Sequence, residues 1–392
     1  MPKAPKPPLS VLFALNKPTG TPSMTLLNKL QPLFSASALF KDPSKQQDDP
    51  AKRGGAKGGR RGRGRARDDK VKMGQGGTLD PLADGVLVVG TNAATKSLSR
   101  FLDCTKEYRA IALVGCSTDS YDSEGKRVRT CPWDGVTRQS VEDALARFRG
   151  EIEQTPPIFS ALKMDGKPLY EYARSNTPLP RPIPPRKVTV HALELVRFVE
   201  GTEHAYEWPK EELDDKAKGE LERLEKMVKA GAVEVPAEDD VAAASTEASA
   251  PPAPVPTGRP PIFEIRMTVS SGTYVRSIVH DLGLALGTAA HVVKLTRTRQ
   301  GEFVLDPPAA TTVLSGAAPA EAAVEEGEKT VKEEKDGVAL ETFTGGCVEW
   351  TVLEAAIRAQ DEARKEGREV EGRDADGWLE WERDLLRKCK EV

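Results

Sequence analysis

Three polar, low-complexity stretches, at about 35–70, 207–258 and 309–341, decide what this chain can fold into. The first two are flanked on both sides by strand or helix signals, and those flanks need partners from beyond the insert. The inserts therefore interrupt one domain, about 8–308, rather than separate two. The third is an acidic linker leading to a terminal helical segment, 342–392, in which Trp350, Trp378 and Trp381 are the expected docking residues. The first insert has few large apolar residues. Burial there cannot offset the entropy of ordering the chain, so disorder is expected.

Between the inserts the periodicity is clear. "VLFAL" reads as a buried strand, "NKPTG" as a turn, and "SMTLLNKLQPLF" as a helix starting at Ser23. "GVLVVG", "EYRAIALVG" and "RKVTVHALELVRF" read as strands. "SVEDALARFRG" reads as a helix capped by Ser140, with Ala144, Leu145 and Phe148 on one face and Gly150 as its stop. "PIFEIRMTVSSGTYVRSIVHDLGLALG" gives strand, turn and helix.

With 38% hydrophobic and 30% charged residues in 392, the chain can bury a sizeable core. No apolar run is long enough for a bilayer, and the N-terminus lacks a signal-peptide core of proper length. The five cysteines (Cys104, Cys116, Cys131, Cys347, Cys389) form no C-x-x-C pair, and the four histidines form no H-E-x-x-H. A reducing compartment and a protein without metal are the expectation. The formal net charge of -3 hides segregation. "AKRGGAKGGRRGRGRAR" holds eight basic residues, Lys52, Arg53, Lys57, Arg60, Arg61, Arg63, Arg65 and Arg67, and no acidic one. Glycines interleave its arginines, as in arms that hold RNA phosphates without sequence preference. A nuclear import signal and a plain soluble tail are the other readings of the same residues.

Several segments could carry chemistry. In "GQGGTLDPLADGVLVVG", Asp80 follows glycines that allow close backbone approach and precedes an apolar strand that anchors the loop. A calcium loop fails there, because Leu82 and Thr91 stand where ligands are needed, and no Gly-Lys-Ser/Thr ends a phosphate loop. A nucleophile or base and a simple turn aspartate both remain open. Arg276 lies at a helix start after a Ser-Gly-Thr turn. It is a surface residue, a partner of Asp281, or a guanidinium that keeps a carboxylate ionised. Tyr108 begins a strand and is either a packing residue or a ring for stacking on a base. His280 and His291 read as helix-surface or core residues, and Asp119 and Asp122 in "TDSYDSEGK" as a hairpin turn.

Taken in order, these segments resemble the TruB family of RNA pseudouridine synthases. "NKPTG" resembles the family's opening motif, and "GGTLDPLADGVLVVGTNAATK" its catalytic motif. "KEYRAIALVGCSTDSYDSEG" resembles its tyrosine motif, and "FRGEIEQTPPIFSALKMDGKPLYEYAR" a segment typical of the stand-alone tRNA enzymes. "SSGTYVRSIVHDLGLALGTAAHVVKLTRTRQG" resembles its arginine and leucine motifs. Coverage runs from about Val11 to Phe303, less the two inserts.

The resemblance implies an α+β pseudouridine synthase fold, a mixed, largely antiparallel sheet flanked by helices with an RNA-binding cleft. It implies isomerisation of the T-loop uridine of tRNA, conventionally position 55, by base flipping and without cofactor or metal. It makes Asp80 the nucleophile, at the anomeric carbon or through a glycal, and Arg276 the cation that keeps it ionised. Tyr108 stacks on the base and assists proton transfer. Leu295, Gln75, Lys17 and Asp119 join the substrate-binding set, with Lys17 structural or RNA-contacting rather than catalytic. Gln75 departs from the family, which usually has histidine there; the amide keeps hydrogen bonding but loses the titratable ring. The partner is tRNA through its T-arm, with messenger RNA an open second substrate. A monomer with no membrane contact, in the nucleus and mitochondrion, completes the expectation. Two alternatives stand beside it: a guide-RNA-dependent H/ACA-type enzyme, and a catalytically silent RNA-binding or RNA-folding protein. "DPLADG" and the acidic, helical C-terminus, which does not read as a PUA domain, favour the stand-alone type.

Overall fold

A computed structural model describes residues 6–42, 70–175, 177, 179–219, 221, 257–305 and 345–392. The basic arm Lys52–Arg67 and the acidic linker 309–341 lie outside the described residues. The chain divides into two compact units, Met1–Cys104 with Arg297–Val392, and Thr105–Thr296.

The first unit opens with β1 (Val11–Lys17), buried along nearly all its length because apolar residues fill both of its faces. Helix α1 (Ser23–Ala36) buries Leu26, Leu27, Leu30, Leu33 and Phe34, the stripe expected of a 3.6-residue period. Short strand β2 (Met73–Gln75) and strand β3 (Asp84–Thr91) follow, then a 3-10 turn and α2 (Ser99–Asp103). β1 and β3 are antiparallel, with Lys17 opposite Gly85 and Leu12 opposite Gly90. β2 pairs with the far end of β3, Gln75 opposite Val89.

The second unit runs β4 (Lys106–Val114), hairpin β5 (Cys116–Thr118) and β6 (Arg127–Thr130), α3 (Arg138–Leu145) and β7 (Gly150–Gln154). A two-residue ladder, β8 (Lys163–Met164) and β9 (Lys167–Pro168), precedes α4 (Leu169–Arg174). Strands β10 (Arg186–Val199) and β11 (Ile262–Val269), helix α5 (Val275–Ala285) and strand β12 (Ala290–Gln300) complete it. The unit boundary falls inside β12. In this unit the order is β12-β4-β11-β10-β7, and the β4–β11, β11–β10 and β10–β7 pairs are antiparallel.

The chain then returns to the first unit through β13 (Phe303–Val304), β14 (Cys347–Glu349), α6 (Trp350–Glu366), α7 (Glu380–Lys388) and β15 (Lys390–Glu391). β14 pairs parallel to β1 and β15 antiparallel to it, so the mixed, largely antiparallel α+β arrangement is present. The C-terminal segment read as helical thus also contributes two short strands. Trp381 is 2% exposed and packs its ring 5.1 Å from that of Phe34. Trp350 is buried as well, while Trp378 stays half-buried in the turn closed by Asp374.

Four boundaries differ from the sequence reading. The N-cap of α3 is Thr137, not Ser140: Ser140 N donates to Thr137 Oγ1 (3.1 Å) and Thr137 N to Ser140 Oγ (2.9 Å). The extended residue before the helix takes the cap, and Ser140 closes the box from inside. The helix ends at Leu145, and Gly150, at φ +83, opens β7 instead of stopping α3. The ordered fold also passes both composition boundaries. Leu39 and Phe40 are buried beyond residue 35, and Trp208 donates Nε1–H to Val114 O (2.9 Å) beyond residue 207.

His291 sits in the core of the second unit with no exposed surface. Its Nδ1 donates to Cys116 O (2.9 Å), a carbonyl that can only accept, which fixes the tautomer. Burial pushes its pKa down to about 4. The unfolded chain takes a proton near pH 6.5 that the folded one refuses until about pH 4. Stability is therefore retained above the unfolded value and lost as pH falls across this window, by about 3 kcal/mol at 1.36 kcal/mol per unit. Unfolding of His291→Leu, followed in denaturant at pH 7 and pH 4, should lose that much less on acidification than wild type. Parallel pH profiles would contradict the assignment. The neighbouring Cys116 thiol is pushed up to about 12 by burial, an inert thiol.

Candidate active site

The first unit builds a rigid loop around Asp80. The chain leaves β2 at Gln75, passes Gly76 and Gly77, and enters β3 at Asp84. Asp80 itself is half-buried, and its carbonyl accepts from Ala83 N (3.2 Å), closing a turn. The NKPTG turn grips this loop from one side. Lys17, with no exposed surface, donates Nζ to Pro18 O (2.9 Å), Pro81 O (3.1 Å) and Ala83 O (2.5 Å). Thr19 Oγ1 donates to Leu82 O (2.6 Å), and Gly20 N to Pro81 O (2.8 Å). Ser23, at the start of α1, exchanges hydrogen bonds with Leu79: Oγ donates to Leu79 O (2.9 Å) and Leu79 N donates back (3.1 Å). Every residue from Leu79 to Ala83 is thus held through its backbone. These bonds tie Lys17 to the backbone of the Asp80 loop.

The other side of the loop is held by the end of β12. Arg297, 1% exposed, donates Nε to Val86 O (2.7 Å) and a terminal nitrogen to Gly77 O (3.2 Å). Gln300 donates Nε2 to Gly76 O (2.6 Å) and Phe101 O (3.0 Å). A Cβ on Gly85 would fall 2.3 Å from Arg297 O, and its φ is +95, so this glycine is required for the close approach. Gln75 donates Nε2 to Thr78 Oγ1 (3.2 Å), while its Oε1 is enclosed without a hydrogen-bond partner. The Gln75 amide therefore ties the loop to itself.

The second unit builds a station around Arg276. The guanidinium is 3% exposed, not a surface group. It donates to Ser120 O (2.6 Å) and Phe159 O (2.9 Å), and lies 3.5 Å from Asp122 Oδ2. Asp122 is buried too, and its Oδ1 accepts from Ser120 Oγ (2.6 Å) and Glu124 N (3.1 Å). The start of α5 is fixed by Gln154 of β7, which accepts from Tyr274 N (2.7 Å) and donates to Tyr274 O (2.9 Å). Tyr108 is buried on β4 opposite Met267, and Leu295 is buried on β12. Asp119 sits in the β5–β6 turn and accepts from Lys126 N (2.9 Å), with its pKa raised by burial. That is a turn contact, in keeping with its hairpin sequence context.

Sequence reasoning missed Asp122, Arg297 and Gln300. Asp122 looked like a turn residue because its partner comes from a distant helix. Arg297 did leave a signal: it shares the inward face of β12 with Leu295 and His291, two and six residues back, where strand alternation points a charge into the core.

Comparison with known proteins gives the chain a family. A family model described as "TruB family pseudouridylate synthase (N terminal domain)" matches residues 65–207. One described as "tRNA pseudouridylate synthase B C-terminal domain" matches residues 276–325. tRNA pseudouridine synthase 4 of Schizosaccharomyces pombe is 39% identical over 335 residues, covering 75% of this chain and 79% of the relative. Its namesake in Saccharomyces cerevisiae is 34% identical over 320 residues, covering 75% and 78%. Pseudouridylate synthase TRUB1 of Homo sapiens is 31% identical over 298 residues, covering 76% and 63%. With relatives at this level of identity matched over three quarters of the chain, the chain belongs to the TruB family of pseudouridylate synthases.

Proposed function

We propose that the protein isomerises the T-loop uridine of tRNA, position 55, to pseudouridine, acting alone and as a monomer. The observation that carries this reading is the Asp80 loop, whose backbone is held from two sides so that one carboxylate is presented in a fixed place. Preorganisation of that kind is what a nucleophile needs. The names of the two yeast relatives support tRNA as the substrate.

The chemistry is assigned residue by residue. The target uridine is stacked in the T-loop and is flipped out before reaction. Asp80 attacks the sugar or assists formation of a glycal, and the bond to nitrogen breaks; the base then rejoins through carbon as any bond to Asp80 is released, the proton on that carbon is removed, and the freed nitrogen takes up a proton. Tyr108 is assigned to the base, Leu295 to the wall beside it, and Arg276 to keeping the nucleophilic carboxylate ionised. Gln75 belongs to the arrival of the base rather than to the bond changes. The test uses purified protein, an unmodified tRNA transcript and no guide RNA. Pseudouridine should appear at the T-loop uridine and vanish when that uridine is replaced by cytidine. Product only in the presence of a guide RNA, or at another position, would overturn the reading.

The basic arm Lys52–Arg67 is proposed to add phosphate contacts outside the site. Its deletion should weaken tRNA binding and flatten the dependence of affinity on salt, since each neutralised phosphate contributes about 0.9 to the slope. An unchanged slope would remove the arm from the RNA interface.

A further inference from the structure

The turn that carries Ser120 and Asp122 holds an unusual residue between them. Tyr121 has φ +64, the left-handed region that a bulky side chain rarely occupies. Its backbone is committed on both sides: its N–H donates to Thr118 O (3.2 Å) and its carbonyl accepts from Val292 N (3.0 Å). Ser123 N donates to Val292 O (2.9 Å), which stitches the same turn to β12 a second time. Because of the left-handed step at Tyr121, the residues on its two sides both serve Arg276. Ser120 gives its carbonyl and Asp122 its carboxylate.

The ring of Tyr121 lies flat on the imidazole of His280, with centroids 3.9 Å apart and planes within 14°. His280 is four residues after Arg276 on α5, so the two side chains rise from one face of the helix, a turn apart. One helix face therefore meets the turn twice. Arg276 meets it by charge and hydrogen bond, and His280 by a stacked ring. Ring stacking is the interaction that can offset the strain of a left-handed tyrosine.

From this juxtaposition we infer that Tyr121 and His280 are positioning residues for the reaction: their stack locks the 118–123 turn in the conformation that aims Ser120 O and Asp122 at Arg276. The inference rests on the proposed catalytic part of Arg276 and extends it to two residues that act through it.

The test is single-turnover pseudouridine formation on an unmodified tRNA transcript, with RNA affinity measured separately. Tyr121→Gly keeps the left-handed turn accessible but removes the ring, and His280→Ala removes the other half of the stack. Each should slow the chemical step by about tenfold, the rate equivalent of one stacked pair, with RNA affinity within twofold of wild type. Tyr121→Phe and His280→Phe keep a stack and should restore the rate. The double variant Tyr121→Gly/His280→Ala should be no slower than the slower single, because both remove one interaction. Unchanged rates in folded single variants, multiplying effects in the double variant, or a loss confined to RNA affinity would each overturn the inference. An inactive wild type would instead overturn the proposed function.

Discussion

Lys17→Met should leave a folded but less stable protein whose chemical step is about a hundredfold slower, the usual consequence of misplacing a reacting group by about an ångström. Methionine matches the length of the side chain but donates nothing. Pro81 O would keep Gly20 N as a donor, whereas Pro18 O and Ala83 O would lose the Lys17 ammonium. Buried carbonyls left without that donor cost about 1–3 kcal/mol each, so a loss of about 2–6 kcal/mol is expected for the two. The relief of no longer burying an ammonium offsets part of it. The loop from Leu79 to Ala83 would keep Ser23 and Thr19, so it should loosen rather than collapse. RNA affinity should change little, which separates a scaffold role from an RNA-contacting one. A rate within twofold of wild type would show that the loop does not depend on this lysine.

Arg276→Met should have the larger effect. It strips the hydrogen bonds to Ser120 O and Phe159 O and leaves Asp122 buried without its cation. Breaking a buried ion pair from one side costs about 3–5 kcal/mol, because the remaining charge is uncompensated. Pseudouridine formation should fall by at least about a thousandfold, the scale of removing a preorganised electrostatic group. Arg276→Lys should not rescue it, since a single ammonium cannot reach both carbonyls in the planar fork of a guanidinium. The double variant Arg276→Met/Asp122→Leu separates structure from chemistry. Removing both charges should recover much of the lost stability and none of the activity. Recovery of activity in the double variant would mean that Arg276 serves only to neutralise Asp122.

Much of this molecule was legible in the sequence because its strands are apolar on a regular period. β1, β3, β4, β10 and β11 lie where alternation or continuous apolar runs put them, and α1 begins at Ser23. Asp80 stood out because glycines and a core strand bracket it, and Arg276 because it opens a helix. β14 and β15 were not legible: strands of three and two residues carry no period, and β1 defines them by pairing. The cap of α3 was misplaced by three residues because a capping box has a hydroxyl at each end, and only backbone geometry says which one is outside. Asp122 was hidden for a different reason. Its local context is a good turn, and its ion pair depends on where α5 returns.

The central claim is that Asp80 is the nucleophile of a pseudouridine synthase, and Asp80→Asn tests it most directly. The amide keeps the size of the side chain and removes the negative charge. Purified wild-type protein should convert the T-loop uridine of an unmodified tRNA to pseudouridine, and Asp80→Asn should bind the same RNA with wild-type affinity and form none. Equal pseudouridine formation by the two proteins would contradict the account.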